Sequence, residues 1–213
     1  MRYQRCKLLF GEDFQKLSKS KVIIIGVGGV GSFCLDALYR SGVKNIAIVD
    51  FDTFEVTNQN RQIGSEQIGQ KKVEALSKKY PGIKPIDAKA TDKWIENFDF
   101  DPYDLVIDAI DDVPAKVALA KKTYYKLISS MGGAKRIDPT KIEKASIWKT
   151  SIDPFAKKFR YELKKSGFQG DFEVIYSKEL PIKCEGLGSF VGVTGCMGLA
   201  LASLAIDKIV KTK

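Results

Sequence analysis

Residues 21–52, KVIIIGVGGVGSFCLDALYRSGVKNIAIVDFD, decide the fold. An apolar run from Val22 to Ile25 ends in Gly26-Val27-Gly28-Gly29-Val30-Gly31, and after a helix-length stretch a second apolar run, Ile46 to Val49, closes on Asp50. This order predicts a βαβ unit with a phosphate-binding turn. Gly26 allows the tight turn out of the strand, Gly28 lets the backbone approach a phosphate, and Gly31 lets the helix pack on the sheet. The helix start then presents unpaired N–H groups to an anion, with Asp50 placed for ribose hydroxyls. Which nucleotide binds is open at this point, with a nicotinamide dinucleotide the default.

The 213 residues are read as a single domain, with residues 1–133 as the nucleotide-binding core and 134–213 as its substrate and dimer elaboration. Lys and Arg total 35 against 26 acids, a formal charge of +9. Between Val113 and Ile137 there is no acid, yet Lys116, Lys121, Lys122, Lys126, Lys135 and Arg136 are present, and eight further basic residues follow between Lys141 and Lys165. That run fits either a phosphate-rich partner such as RNA or a solvated lysine face. The chain has no histidine, which excludes Ser-His-Asp and Cys-His nucleophile systems and His-ligated zinc. Cys6, Cys34, Cys184 and Cys196 form no CxxC pair, so no zinc is expected and a reducing cytoplasm is the simplest compartment. The opening MRYQRCKLLF has charges inside its apolar run and no signal-peptide core. Residues 187–206 carry no charge, but Gly188, Gly192, Gly195 and Gly198 dilute their hydrophobicity. A buried helix from near Val193 is expected there, with peripheral membrane association the lesser reading.

In chain order, a short helix is expected through Leu17, followed by the βαβ unit and a polar loop from Phe51 to Gln62 at the ligand-binding edge of the sheet. A helix opens near Gly69 with Lys72 in its first turn, where a lysine opposes the helix dipole unless an anion sits beside it. Ile83–Ala88 reads as a third strand, Trp94–Phe98 as a helical turn, and Leu105–Asp108 as a fourth strand running on to Asp111 and Asp112. Acids at that edge suit Mg²⁺ accompanying nucleotide phosphates, while Asp112 ahead of Pro114 reads as a helix N-cap. A helix over Val113–Lys126 and a strand over Leu127–Met131 follow. Beyond Ala134, strands at Ile142–Trp148 and Phe172–Tyr176 of a different orientation and a basic helix at Pro154–Lys165 are expected. The predicted fold is therefore α/β and Rossmann-like, a mainly parallel sheet flanked by helices with a mixed or antiparallel C-terminal elaboration.

Asp50-x-Asp52, Asn58-x-Asn60-Arg61-Gln62, Gly69-x-x-Lys72 and Asp108-Ala109-Ile110-Asp111, with the glycine turn and Arg2-Tyr3-x-Arg5, resemble the ubiquitin-activating-enzyme-like adenylating superfamily over residues 2 to 133. The resemblance implies ATP rather than a dinucleotide, held by Gly26, Gly28, Gly29, Gly31, Asp50, Asp52, Asn58, Arg61 and Lys72, with Asp111 ligating Mg²⁺. Arg5 would reach the phosphates of the partner's ATP in a homodimer, so that Arg5, Arg61, Lys72 and Asp111 form the catalytic set. The shared reaction is attack of a substrate carboxylate on the α-phosphate. Gly132-Gly133-Ala134, Ile137-Asp138-Pro139-Thr140, Asp153-Pro154 and the glycine-rich 186–198 segment resemble the branch of tRNA threonylcarbamoyladenosine dehydratases. That branch implies the anticodon arm of tRNA as partner, docked by the basic residues between 113 and 165. The alternative is activation of the Gly-Gly tail of a ubiquitin-like sulphur-carrier protein, with Cys184 the one candidate for a thioester; Cys196 reads as core packing.

Overall fold

The computed structural model describes residues 2–211. Helices α1 (Gln4–Phe10) and α2 (Phe14–Lys19) precede strand β1 (Lys21–Ile25), helix α3 (Gly31–Ser41) and strand β2 (Asn45–Asp50). After a long loop come α4 (Lys72–Lys79), β3 (Lys84–Asp87), α5 (Asp92–Asn97), β4 (Leu105–Asp108), α6 (Val113–Thr123) and β5 (Leu127–Ser130). The last part of the chain adds β6 (Ile142–Ser146), α7 (Pro154–Lys165), β7 (Glu173–Ser177) and α8 (Val191–Lys211).

The seven strands form one sheet in the order β3-β2-β1-β4-β5-β7-β6, with the order reversing at β1, the switch point where α/β sheets hold ligands. Burial on both faces explains the continuous apolar runs of β1 and β2. Val22, Ile24, Ile46 and Ile48 face a core built with α3, α4 and α8. Ile23, Ile25, Ala47 and Val49 face a second core built with α5, α6 and α7.

The expected N-terminal helix is two helices, broken at Gly11, where φ is +55°. The mixed C-terminal elaboration is present, with one strand oriented otherwise than expected. β7 runs parallel to β5, and only β6, paired antiparallel to β7, reverses direction. The crossover from β5 to β7 through α7 therefore extends the parallel sheet by one more βαβ-like step.

Helix α8 is long and apolar enough to cross a membrane, with a mean hydropathy of 1.6, yet 56% of that window is buried in the fold. It packs along α3 at very short range. A methyl group on Gly198 would stand 2.4 Å from the Val30 carbonyl oxygen and 2.7 Å from Phe33 Cβ. Replacing Gly198 with Leu should force the helices apart at a cost of ~3 kcal/mol and lower Tm by about 6–12 °C. A thermal melt followed by circular dichroism measures this, and an unchanged Tm would refute so close a crossing.

Candidate nucleotide site

The turn between β1 and α3 folds as its glycines require. Gly26 has φ +87° and donates its N–H to Val49 O at 2.8 Å. A methyl group on Gly31 would lie 1.9 Å from Gly26 O, so only glycine lets α3 start this close to the strand end. Gly28 and Gly29 are partly exposed and no side chain caps the start of α3, so this end of the helix is open to an anion, with the Ser32 N–H already given to Gly28 O at 3.0 Å. Asp50 braces the turn as well as facing its edge: Oδ2 accepts the Val27 N–H and Oδ1 the Asp52 N–H, each at 2.9 Å. A carboxylate offers about four lone-pair sites, so both oxygens retain capacity for ribose hydroxyls.

The loop after β2 folds back over the turn. Lys72 opens α4 with its side chain only 6% exposed, and its Nζ donates to Asp52 Oδ2 at 3.0 Å. The anion that makes a first-turn lysine tolerable is thus Asp52, itself half exposed. Asn58 is buried and closes a capping box with Glu55, its Oδ1 accepting the Glu55 N–H at 3.1 Å. Arg61 lies over the glycines, its Cγ 3.4 Å from where a Gly29 methyl would be. Its Nη1 donates to Thr57 O and Asn60 Oδ1, both at 2.8 Å. Gln62 adds a feature with no role assigned from sequence: its amide approaches Gly28, and its buried Oε1 has no hydrogen-bond partner among the described residues. Only its place beside Arg61 in the motif could have drawn attention to it.

The acids that follow β4 divide into different uses. Asp108 is fully buried and paired with Lys116 Nζ at 2.7 Å. Asp112 caps α6 by accepting the Ala115 N–H at 2.9 Å, as expected. Asp111 is exposed between them. Among the described residues, no group of three or more Cys, Asp or Glu side chains could hold a metal unaided. A single carboxylate at this edge fits Mg²⁺, which commonly takes one or two protein carboxylates and completes its shell with phosphates and water.

Arg5 is not brought to this site within the chain. It is exposed on α1, whose Tyr3 N-cap hydroxyl donates to Tyr39 O, and the thiol of Cys6 to Arg40 O, at the far end of α3. That end is ~16 Å from the glycine turn along an eleven-residue helix. The basic run also needs correction. Lys116 is buried, Lys122 donates to the carbonyls of Ile95, Glu96 and Phe98, and Lys126 to those of Phe100 and Tyr103. Arg136 is buried, donating to Gly132, Ala134 and Glu179 carbonyls beside Asp153. The exposed members are Lys121, Lys141, Lys144 and Lys149 and, on α7, Lys157, Lys158, Lys164 and Lys165, of which Lys141 and Lys144 pair with Asp138 and Glu173. Cys184 is exposed, and Cys196, expected in the core, is half-buried.

Strand order, glycine turn and arginine-covered cradle define a Rossmann-like nucleotide-binding protein. The chain belongs to the ThiF family, whose pattern matches residues 3–208. The tRNA threonylcarbamoyladenosine dehydratase of Bacillus subtilis is 40% identical over 84% of this chain and 76% of its own length. The crystal structure of the E. coli tRNA N6-threonylcarbamoyladenosine dehydratase in complex with AMP superposes with a TM-score of 0.93 at 31% identity, covering 98% of this chain and 93% of that one. The same enzyme in complex with ATP gives 0.91 at 30% identity over the same shares.

The neighbouring carboxylates should separate in experiment. Asp112→Ala should lower the urea unfolding free energy by about 1 kcal/mol through loss of the cap and leave ATP binding intact. Asp111→Ala should weaken Mg²⁺-dependent ATP binding and leave the urea midpoint unchanged. Urea titration and calorimetry on both variants read this.

Proposed function

We propose that this chain is an ATP-dependent dehydratase acting on tRNA. It activates the carboxylate of N6-threonylcarbamoyladenosine as an acyl-adenylate and closes it to the cyclic form. The observation that carries this reading is the near-full-length match to an enzyme of that name whose structure has been solved with ATP. The carrier-protein alternative has less support, since the B. subtilis relative also bears the dehydratase name.

In this reading the glycine turn and the start of α3 cradle the phosphates, and Asp50 holds the ribose. The substrate carboxylate attacks the α-phosphorus, a P–O bond to pyrophosphate breaks, and the carbamoyl group then displaces AMP from the acyl carbon. Arg61, Lys72, Asn58 and the partner's Arg5 face charge gathering on the phosphoryl oxygens, where preorganised cations matter most. Lys72 arrives already paired with Asp52, so Asp52 sets the orientation of the ammonium as well as lining the site. Asp111 would hold Mg²⁺, which when bound neutralises phosphate charge and orients the leaving group. No step needs a histidine or a cysteine nucleophile, in keeping with the composition.

A homodimer accounts for Arg5, which stands too far from the turn of its own chain to act there. The anticodon arm would dock through phosphate contacts to the exposed lysines of α7, Lys121 and Lys149, a surface narrower than the whole basic run. The whole chain would act as one unit in the cytoplasm, the setting that suits four unpaired cysteines.

Purified protein with ATP, Mg²⁺ and tRNA should suffice for ring closure, read by nucleoside mass spectrometry; failure with all three present would sink the assignment. Arg5→Ala and Arg61→Ala should each abolish turnover. An equal mixture of the two variants, after subunit exchange, should recover about a quarter of native activity, because half the dimers then hold one intact site of two. No recovery would mean that Arg5 does not act across the dimer, and full activity of Arg5→Ala alone would place it outside the reaction.

A further inference from the structure

Fully buried beneath the Ala109–Asp111 turn is a charged network that the proposed reaction does not use. Lys116, from the second turn of α6, points its Nζ at Asp108 Oδ2 at 2.7 Å and Ser129 Oγ at 3.1 Å. Ser129 donates its hydroxyl to the same Asp108 oxygen at 2.7 Å, and all three side chains are inaccessible to solvent. The remaining face of the ammonium lies between the rings of Phe155 and Phe159 on α7, each centroid 5.8 Å away. Burial depresses the Lys116 ammonium below the usual lysine range, opposed by the charges of Asp108 and Asp111.

A buried ion pair is weak support for a fold, since well-packed apolar residues of similar volume often serve as well or better. What this one holds is a turn. The other oxygen of Asp108, Oδ1, accepts the Ile110 N–H at 3.2 Å, and the Ala109 N–H donates to Ile25 O at 2.8 Å. Ala109 in turn walls the cradle: its carbonyl would be 2.8 Å from a methyl on Gly26, and its Cβ 3.3 Å from one on Gly31. Asp111 is the next residue after Ile110. Asp108 orients this turn only in its present rotamer, which Lys116 and Ser129 hold through the other carboxylate oxygen.

We infer that Lys116 is a positioning residue of the nucleotide site, fixing through Asp108 the Ala109–Asp111 turn that walls the glycine cradle and carries the exposed carboxylate. The inference rests on the ATP reading above. It assigns to a buried lysine an effect on nucleotide affinity that a purely structural ion pair would lack. With Lys116 gone, Asp108 loses its counter-charge and the Ile110 amide loses its fixed acceptor.

The test compares native protein, Lys116→Met and Ser129→Ala, each first shown folded by circular dichroism. Calorimetry measures ATP binding with Mg²⁺, and mass spectrometry measures hydrogen exchange at residues 109–111 without nucleotide. Lys116→Met should weaken ATP binding about tenfold or more, and Ser129→Ala about threefold, with faster exchange of the turn in both. Should Lys116→Met fail to fold, Ser129→Ala decides alone. Native ATP affinity and native exchange in a folded variant would overturn the inference, leaving the pair a support of the core only. If native protein does not bind ATP, the functional reading fails instead, and the exchange measurement still shows whether the turn depends on Lys116.

Discussion

The upper edge of the sheet depends on one backbone contact, the carbonyl of Gly26 against the Cα of Gly31. With no side chain tolerated there, the end of β1 and the start of α3 share the space one residue would fill. Other contacts stack on this one. Val27 is tied to Asp50, Ala109 closes on Gly26 and Gly31 from β4, and Gly198 of α8 reaches the Val30 carbonyl from outside. Close-packed interiors transmit displacement instead of absorbing it. A shift at Gly31 would therefore be felt at the ribose carboxylate, the acidic turn and the outer helix together.

The glycine spacing made this edge legible, because that spacing has few other physical uses when a strand precedes it and a helix and second strand follow. Asp112 beside Pro114 was similarly readable, since a cap depends on neighbours three residues away. The uses of Asp108 and Lys116 were not, because their pairing depends on how β4, α6 and α7 pack. Parallel placement of β7 was missed for a related reason: the apolar run of a strand carries no sign of direction. Direction was set by α7, which crosses back over the sheet before β7 begins.

Charge shows the same limit. A count of +9 treats every lysine as surface, but the fold turns several inward. Lys122 gathers three carbonyls at and beyond the end of α5, where cations complement the exposed carbonyl dipoles. Lys126 binds the loop that follows, and Arg136 ties the Gly132–Ala134 segment to Glu179 and the start of α7. These cations replace backbone hydrogen bonds in irregular segments. Lys121, Lys149 and the lysines left on α7 present positive charge outward in that region, while the exposed Lys141 and Lys144 are offset by Asp138 and Glu173.

Helix α8 joins the two ends of this arrangement in space and in time. Its first turn touches the nucleotide cradle, with Thr194 beside Gly29 and Gly133, and near its last residues the Val210 carbonyl accepts from Lys16 of α2. Val193, Met197, Leu201, Leu204 and Ala205 between them complete the core under α3. During synthesis the glycine turn and its helix emerge early and can pack on β1, β2 and α4, yet the side of α3 that meets α8 stays uncovered until residues 191–211 follow. The βαβ unit is therefore half-built until then, and the apolar surface it leaves exposed is of the kind that chaperones bind.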